Sequence, residues 1–421
     1  MVDRSVAPEF RRIEKVEFQE AVSGELDNGL PLHIVNAGTQ PVIRIEWICH
    51  SGVWYEPKNG VSFLTTKMLT EGTGKMNALQ IAEHFDRYGA FLELNPGFDY
   101  NSINLYALTK QLENTLPVFR EILLESVFPE QEFHILKNNT LSDLRIKNAK
   151  NNVVASRKFR ELIFGKDHPY GKELTEEAVH SVQEPAELRR YFEESFHNQA
   201  EIVVSGLVSD KDIEALNYYF GDLKRIQLKK ENPVLPPYFP AKELIEKDNS
   251  VQSSIRVGKR LFGKEHPDYL KTLVANEVLG GYFGSRLMKN IREEKGLTYG
   301  VYSRLMHFKN EGYFLISLDV NKERAQEAID EIYKEIRKLQ TTPVPLDELE
   351  IAKNQMIGGF LSEISSPFAL AEKFKAIHFH GLDYGFYQDF VSTVNGITPE
   401  EIMEMAARYF DVQEMSETIV G

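Results

Sequence analysis

Gly89 and Gly296 hold matching places in two similar runs of structural signals, 207 residues apart in a chain of 421. Before Gly89, apolar residues at Val61, Leu64, Met68 and Leu69 have helical spacing over 60–71, and a second helix is expected over 77–88 with Asn77 as its N-cap. Strands near 90–95 and 101–108 follow, then a helix near 111–125. Around Gly296 the order recurs: helices over 266–280 and 284–295, strands near 298–306 and 312–320, and a helix near 323–339. An offset of about half the chain points to an internal duplication of one α+β unit. Strand pairs joined by short connections imply mainly antiparallel sheets with helices packed on one face. The fold class expected is therefore α+β, with two homologous domains.

Four further strands complete the first unit. Val22–Leu26 and Leu30–Val35 flank Asp27-Asn28-Gly29, a hairpin turn signal; residues 42–49 form an apolar run, and 201–206 read as a buried strand. Pro233, Pro236, Pro237 and Pro240 make an extended linker. We place an N-terminal domain at 1–227, a linker at 228–244 and a C-terminal domain at 245–421. That division suits the length, which is too great for one ordinary core.

Composition excludes some classes of function. A net charge of −14, without a basic cluster carrying aromatics, argues against nucleic-acid binding. No run of about 18 apolar residues is present, so no membrane span is expected. Met1–Pro8 has no apolar core of a secretory signal, which makes the cytoplasm the expected address and the periplasm the alternative. The lone Cys49 has no disulfide partner and is expected as a buried, inert thiol.

Several stretches invite a chemical reading. Gly52-Val53-Trp54-Tyr55-Glu56-Pro57-Lys58-Asn59-Gly60 leads into Ser62-Phe63-Leu64-Thr65-Thr66 and then Lys67-Met68-Leu69-Thr70-Glu71-Gly72-Thr73. Phe128-Pro129-Glu130-Gln131-Glu132-Phe133 opens a later helix, on which Asp143 lies 77 residues past Thr66. Leu279-Gly280-Gly281-Tyr282-Phe283-Gly284-Ser285-Arg286-Leu287 admits two readings, a phosphate loop or close backbone packing at a turn. The second is favoured, because no Gly-Lys-Ser/Thr or dinucleotide fingerprint follows. Arg292 and Tyr299 stand seven residues apart, and a surface Arg beside Glu293 or Glu294 with a sheet-packed Tyr is the plain alternative to a functional pair. His378-Phe379-His380 has metal spacing only on a strand; beside a helix, and with no third ligand in view, the two are expected as core or solvated histidines.

These frames, with His168-Pro169-Tyr170-Gly171, Glu350–Met356 and Ser365–Ala371, resemble the insulinase/pitrilysin-type zinc peptidases, which include mitochondrial processing peptidase. The resemblance covers nearly the whole chain and implies the processing-peptidase, LuxS-like metallohydrolase fold. Active members carry H-x-x-E-H on the first helix, two His for zinc and a Glu as general base, with a distal Glu as third ligand. Here those positions hold Ser62, Thr65, Thr66 and Asp143, a poor donor set for zinc. No metal and no cofactor are therefore expected in this chain. The family's Arg/Tyr pair is kept as Arg292 and Tyr299. The resemblance implies that the Tyr donates to the scissile carbonyl oxygen and the Arg holds the substrate backbone. We expect Arg292 to end a helix and Tyr299 to stand on the next strand. Phe91-Leu92-Glu93-Leu94 replaces the Asn-Ala that active members carry on their edge strand, which argues against peptide docking on this chain's own first-half strand.

The implied function is that of a zinc-less subunit of a two-chain metallopeptidase. Its partner would be a homologous chain bearing H-x-x-E-H and the zinc, in a heterodimer enclosing a chamber for extended peptides. An inert scaffold of the same fold, like core subunits of respiratory complexes, is the alternative. An active zinc peptidase with ligands elsewhere is disfavoured, because no other H-x-x-E-H or H-E-x-x-H occurs.

Overall fold

A computed structural model describes residues 13–228 and 234–421. The first expected linker proline, Pro233, and the N-terminal Met1–Pro8 lie outside the described residues.

The first half builds a six-stranded sheet in the order β1-β2-β6-β3-β5-β4: β1 Val22–Glu25, β2 Pro31–Asn36, β3 Val42–Cys49, β4 Phe91–Asn95, β5 Asn101–Leu108 and β6 Glu201–Gly206. The second builds a five-stranded sheet in the order β7-β11-β8-β10-β9: β7 Lys242–Ile245, β8 Gln252–Leu261, β9 Val301–His307, β10 Gly312–Asn321 and β11 Ser416–Val420. Without β1, the orders superimpose strand for strand, and in each sheet the one parallel pair occupies the same place, β2 with β6 and β11 with β7. The two glycines that align the sequence repeat share a backbone conformation, with φ of 62° at Gly89 and 60° at Gly296. A residue with a Cβ resists that left-handed region. Residues 242–244, at the end of the expected linker, form β7 together with Ile245.

The first helices follow from local rules. Asn77 caps Ala78–Arg87 through a reciprocal box: Gln80 N–H donates to its side chain at 2.9 Å, and Asn77 N–H donates to the Gln80 side chain at 3.0 Å. On β3, period-two alternation sends Ile43, Ile45, Trp47 and Cys49 into the core formed with the half's own helices. Burial pushes the Cys49 thiol well above its ordinary range, as befits an inert packing residue.

The opposite faces hold what the sequence hides. Arg44, Glu46 and Ile48 of β3 point toward Pro367–His378, a helix of the second half. Arg44 pairs with Glu46 at 2.6 Å and Glu372 at 2.9 Å, and Lys375 pairs with Glu46 at 2.6 Å. Ile48, Val35 and Val203 pack on Leu370, Ala371 and Phe374 of that helix. The exchange is reciprocal. The first-half helix Asn151–Phe164 lies on the second sheet, where Arg256 of β8 donates to Ser156 Oγ at 2.9 Å and to the Asn152 carbonyl at 3.0 Å. Each sheet thus has its own helices on one face and a helix from the other half on the other. Among the described residues, no helix is long and apolar enough to cross a membrane.

Candidate functional site

The helix matched to the metal motif, Val61–Met68, starts at Gly60, whose φ of 94° again favours glycine. Its first turn is capped from within the preceding loop, because Glu56 Oε2 accepts the Gly60 and Ser62 N–H groups at 3.0 and 3.2 Å. Ser62, Thr65 and Thr66 are all buried. Ser62 Oγ donates to the Ser51 carbonyl at 2.8 Å and accepts from Asn101 Nδ2 at 3.0 Å. Thr66 Oγ1 donates back to the Ser62 carbonyl at 2.9 Å. Those hydroxyls are spent on the local backbone. Asp143 lies on Glu130–Ala149, a helix that buries Phe133, Thr140, Leu141 and Leu144 and leaves Asp143 exposed. Two inward, hydrogen-bonded hydroxyls and one outward carboxylate do not fit zinc, which takes imidazole, thiolate or carboxylate donors at close range.

Thr65 stands where active members carry the general base. Its Oγ1 is buried and finds no hydrogen-bond partner among the described residues. A buried hydroxyl without a partner is destabilising, so Thr65→Val is expected to stabilise the protein by about 1 kcal/mol. Chemical denaturation of the two proteins checks this; a loss of stability would mean the hydroxyl is satisfied.

Arg292 lies in the last turn of Met288–Glu294, a π-helical segment, as expected for the end of a helix. Tyr299 differs from expectation: it sits at a bend two residues before β9, not on the strand. The strand starts late because Thr298 ties the bend down. Its Oγ1 lies 2.7 Å from the Asp319 carbonyl and 3.0 Å from the Gly300 carbonyl, and it accepts from Gly300 N–H at 3.2 Å. Tyr299 is left 96% exposed. The Arg292 guanidinium lies over the Phe283 ring, 4.4 Å from its centroid, and 3.9 Å from the Glu293 carboxylate. Arg292 and Tyr299 line one depression of about 700 Å³ with Gln252, Asp319 and Asn321. Gln252 and Asp319 also line a second hollow of about 710 Å³, which reaches Asn151 and Asn152 at the start of the exchanged helix.

The glycine-rich stretch serves packing. A Cβ on Gly280 would meet Ser303 Oγ at 2.6 Å and its backbone nitrogen at 2.8 Å, so only glycine lets this turn approach β9. His168-Pro169-Tyr170-Gly171 is also structural. Tyr170 is buried, stacks on Phe308 at 4.0 Å and donates to Asp99 Oδ1 at 2.7 Å.

His378 ends the helix Pro367–His378, and the two histidines turn to different carboxylates. His378 Nε2 is 2.8 Å from Glu201 Oε2, and His380 Nδ1 is 2.7 Å from Glu265 Oε1. Glu277, which no sequence motif singles out, lines a hollow of about 430 Å³ with Tyr269, Met356, Phe360 and Lys373, and burial raises its carboxyl to about 7. Its only sequence signal is an acidic residue in an apolar helical run, which solvated carboxylates share.

The chain belongs to the insulinase family, peptidase family M16. The family profile, insulinase (peptidase family M16), matches residues 34–175, and that of the peptidase M16 inactive domain matches residues 184–356. A relative from Bacillus subtilis, an uncharacterized zinc protease YmxG, is 26% identical over 344 residues, 80% of this chain and 83% of its own. A Helicobacter pylori relative, named a non-peptidase homolog YmxG, is 24% identical over 383 residues, 86% of this chain and 84% of its own. The crystal structure of a peptidase M16 inactive domain from Pseudomonas fluorescens superimposes with a TM-score of 0.84 at 24% identity, covering 95% of this chain and 98% of that one.

Proposed function

We propose that this chain is the zinc-less subunit of a two-chain metallopeptidase that degrades or processes small unfolded peptides. A homologous partner chain carrying H-x-x-E-H supplies the zinc and the general base. This chain supplies Arg292 and Tyr299 from its second half. The observation that carries the reading is an asymmetry between two places. At the two positions where active members carry the zinc-binding His, Ser62 and Thr66 face inward and are committed to local hydrogen bonds. At the Arg/Tyr pair the phenol is 96% exposed on a pinned bend beside Arg292, available to something outside the chain. A phenol O–H aimed at a carbonyl oxygen stabilises the negative charge that develops there during peptide cleavage. A guanidinium beside it can hold the peptide backbone through its planar fork of donors.

The inert scaffold is the second reading, and the name of the Helicobacter pylori relative, a non-peptidase homolog, favours it. Both readings predict that the chain alone cleaves nothing. They part over what the assembled pair needs from this chain. On the subunit reading, native mass spectrometry of this chain with the H-x-x-E-H chain of the same organism gives a one-to-one complex, and that complex needs Arg292 and Tyr299 to cleave peptides. Cleavage of peptides by this chain alone would overturn both.

A further inference from the structure

The described residues hold one group of side chains with a metal-like arrangement, and it lies outside the motif positions. His33 of β2 and Glu201 of β6 come from the first half, and His378 from the helix that the second half lays across that sheet. Sequence separations of 168 and 177 residues from Glu201 to the two histidines explain why no third ligand is visible beside His378 in the sequence.

The geometry is tight. His33 Nε2 and His378 Nε2 lie 3.2 and 2.8 Å from the same oxygen, Glu201 Oε2, and the three donor atoms all fall within 4.8 Å of one another. A tetrahedral site with bonds of about 2.0–2.2 Å spaces its donors roughly 3.3–3.6 Å apart, so the group needs only small side-chain rotations to close on an ion. His33 and Glu201 are each 6% exposed. His33 Nδ1 is held by Ser23 Oγ at 2.8 Å, the kind of outer contact that fixes a ligating ring. A fourth donor is near: His50 Nε2 is 3.9 Å from Glu201 Oε1. On its other side, His50 Nδ1 is 3.3 Å from Lys309 Nζ. A hollow of about 780 Å³, lined by Ser23, His33, His50, Glu201, Arg225 and His378, opens onto the group and gives an ion and water a way in.

We propose that His33, Glu201 and His378 form a binding site for a divalent transition metal of the zinc class, with a remaining position toward the hollow or His50. Two imidazoles and a carboxylate are a donor set that zinc takes when it keeps a position open. Because the ligands come from both halves, a bound ion also ties the exchanged helix to the first sheet. The site is independent of the proposed partner's zinc, and its test needs neither a partner nor peptide cleavage.

The full chain, stripped with EDTA and dialysed, is titrated with Zn²⁺ by calorimetry and with Co²⁺ by visible absorption. One saturable equivalent is expected, with the d–d bands of four- or five-coordinate cobalt and a higher melting temperature of the loaded protein. His378→Ala should weaken binding by more than about 100-fold, beyond the 10–100-fold that loss of a supporting contact costs. It should also abolish the thermal shift. Glu201→Gln should act alike. If that buried substitution unfolds the protein, His378→Ala still decides, since His378 is one-third exposed. Asp143→Asn should leave binding unchanged. Absence of saturable binding, or binding indifferent to His378→Ala, overturns the proposal and leaves a hydrogen-bonded His–Glu–His group.

Discussion

Tyr299→Phe lowers kcat of the reconstituted pair by about 100-fold or more, the range for loss of one oxyanion donor. KM changes little, because the bond from the phenol strengthens only as charge builds on the carbonyl oxygen. The fold tolerates the change. Tyr299 is 96% exposed, and the bend that carries it is held by Thr298, not by the phenol. Arg292→Ala acts on the other parameter and chiefly raises KM, since it removes a contact to the bound peptide. Steady-state kinetics with a quenched peptide separates the two. An unchanged kcat in Tyr299→Phe would make the pair structural, and the scaffold reading would lead.

Phe164→Ala is expected to cost about 3–5 kcal/mol of stability, the range for truncating a buried aromatic. Phe164 ends the exchanged helix of the first half and is fully buried. Its ring meets Tyr170 from the first half, and Phe308 and Tyr313 from the second, all at 5.8 Å between centroids. Arg260 of β8 lies over it at 5.6 Å. Because each sheet is covered by a helix of the other half, we expect the two halves to unfold in one transition that moves as a whole in the variant. Two transitions in calorimetry, with only one shifted, would show that the halves unfold independently.

Local chemistry made much of this fold legible. Asn77 with Gln80 marks a helix start, Asp27-Asn28-Gly29 marks the hairpin between β1 and β2, and the recurrence about Gly89 and Gly296 anticipates two sheets with the same strand order. The unreadable parts depend on long-range pairing. Arg44 and Glu46 look like interruptions of an apolar strand until Glu372 and Lys375 arrive from the far half. The same separation hid Glu201 from His33 and His378. Tyr299 missed its strand by two residues because the Thr298 side chain competes with the ladder for backbone partners, which strand propensity does not capture. The motif positions were identifiable as hydroxyls and one Asp, but their inward and outward directions needed the packing of two helices.

The most direct test of the subunit account is turnover of a quenched peptide by the purified H-x-x-E-H chain of the same organism, measured alone and with this chain in equal amounts. The account predicts that neither chain cleaves alone and that the mixture does, with activity saturating at one-to-one stoichiometry and absent when Tyr299→Phe, Arg292→Ala protein replaces the wild type. Full activity of the H-x-x-E-H chain by itself, unchanged by adding this one, would contradict it.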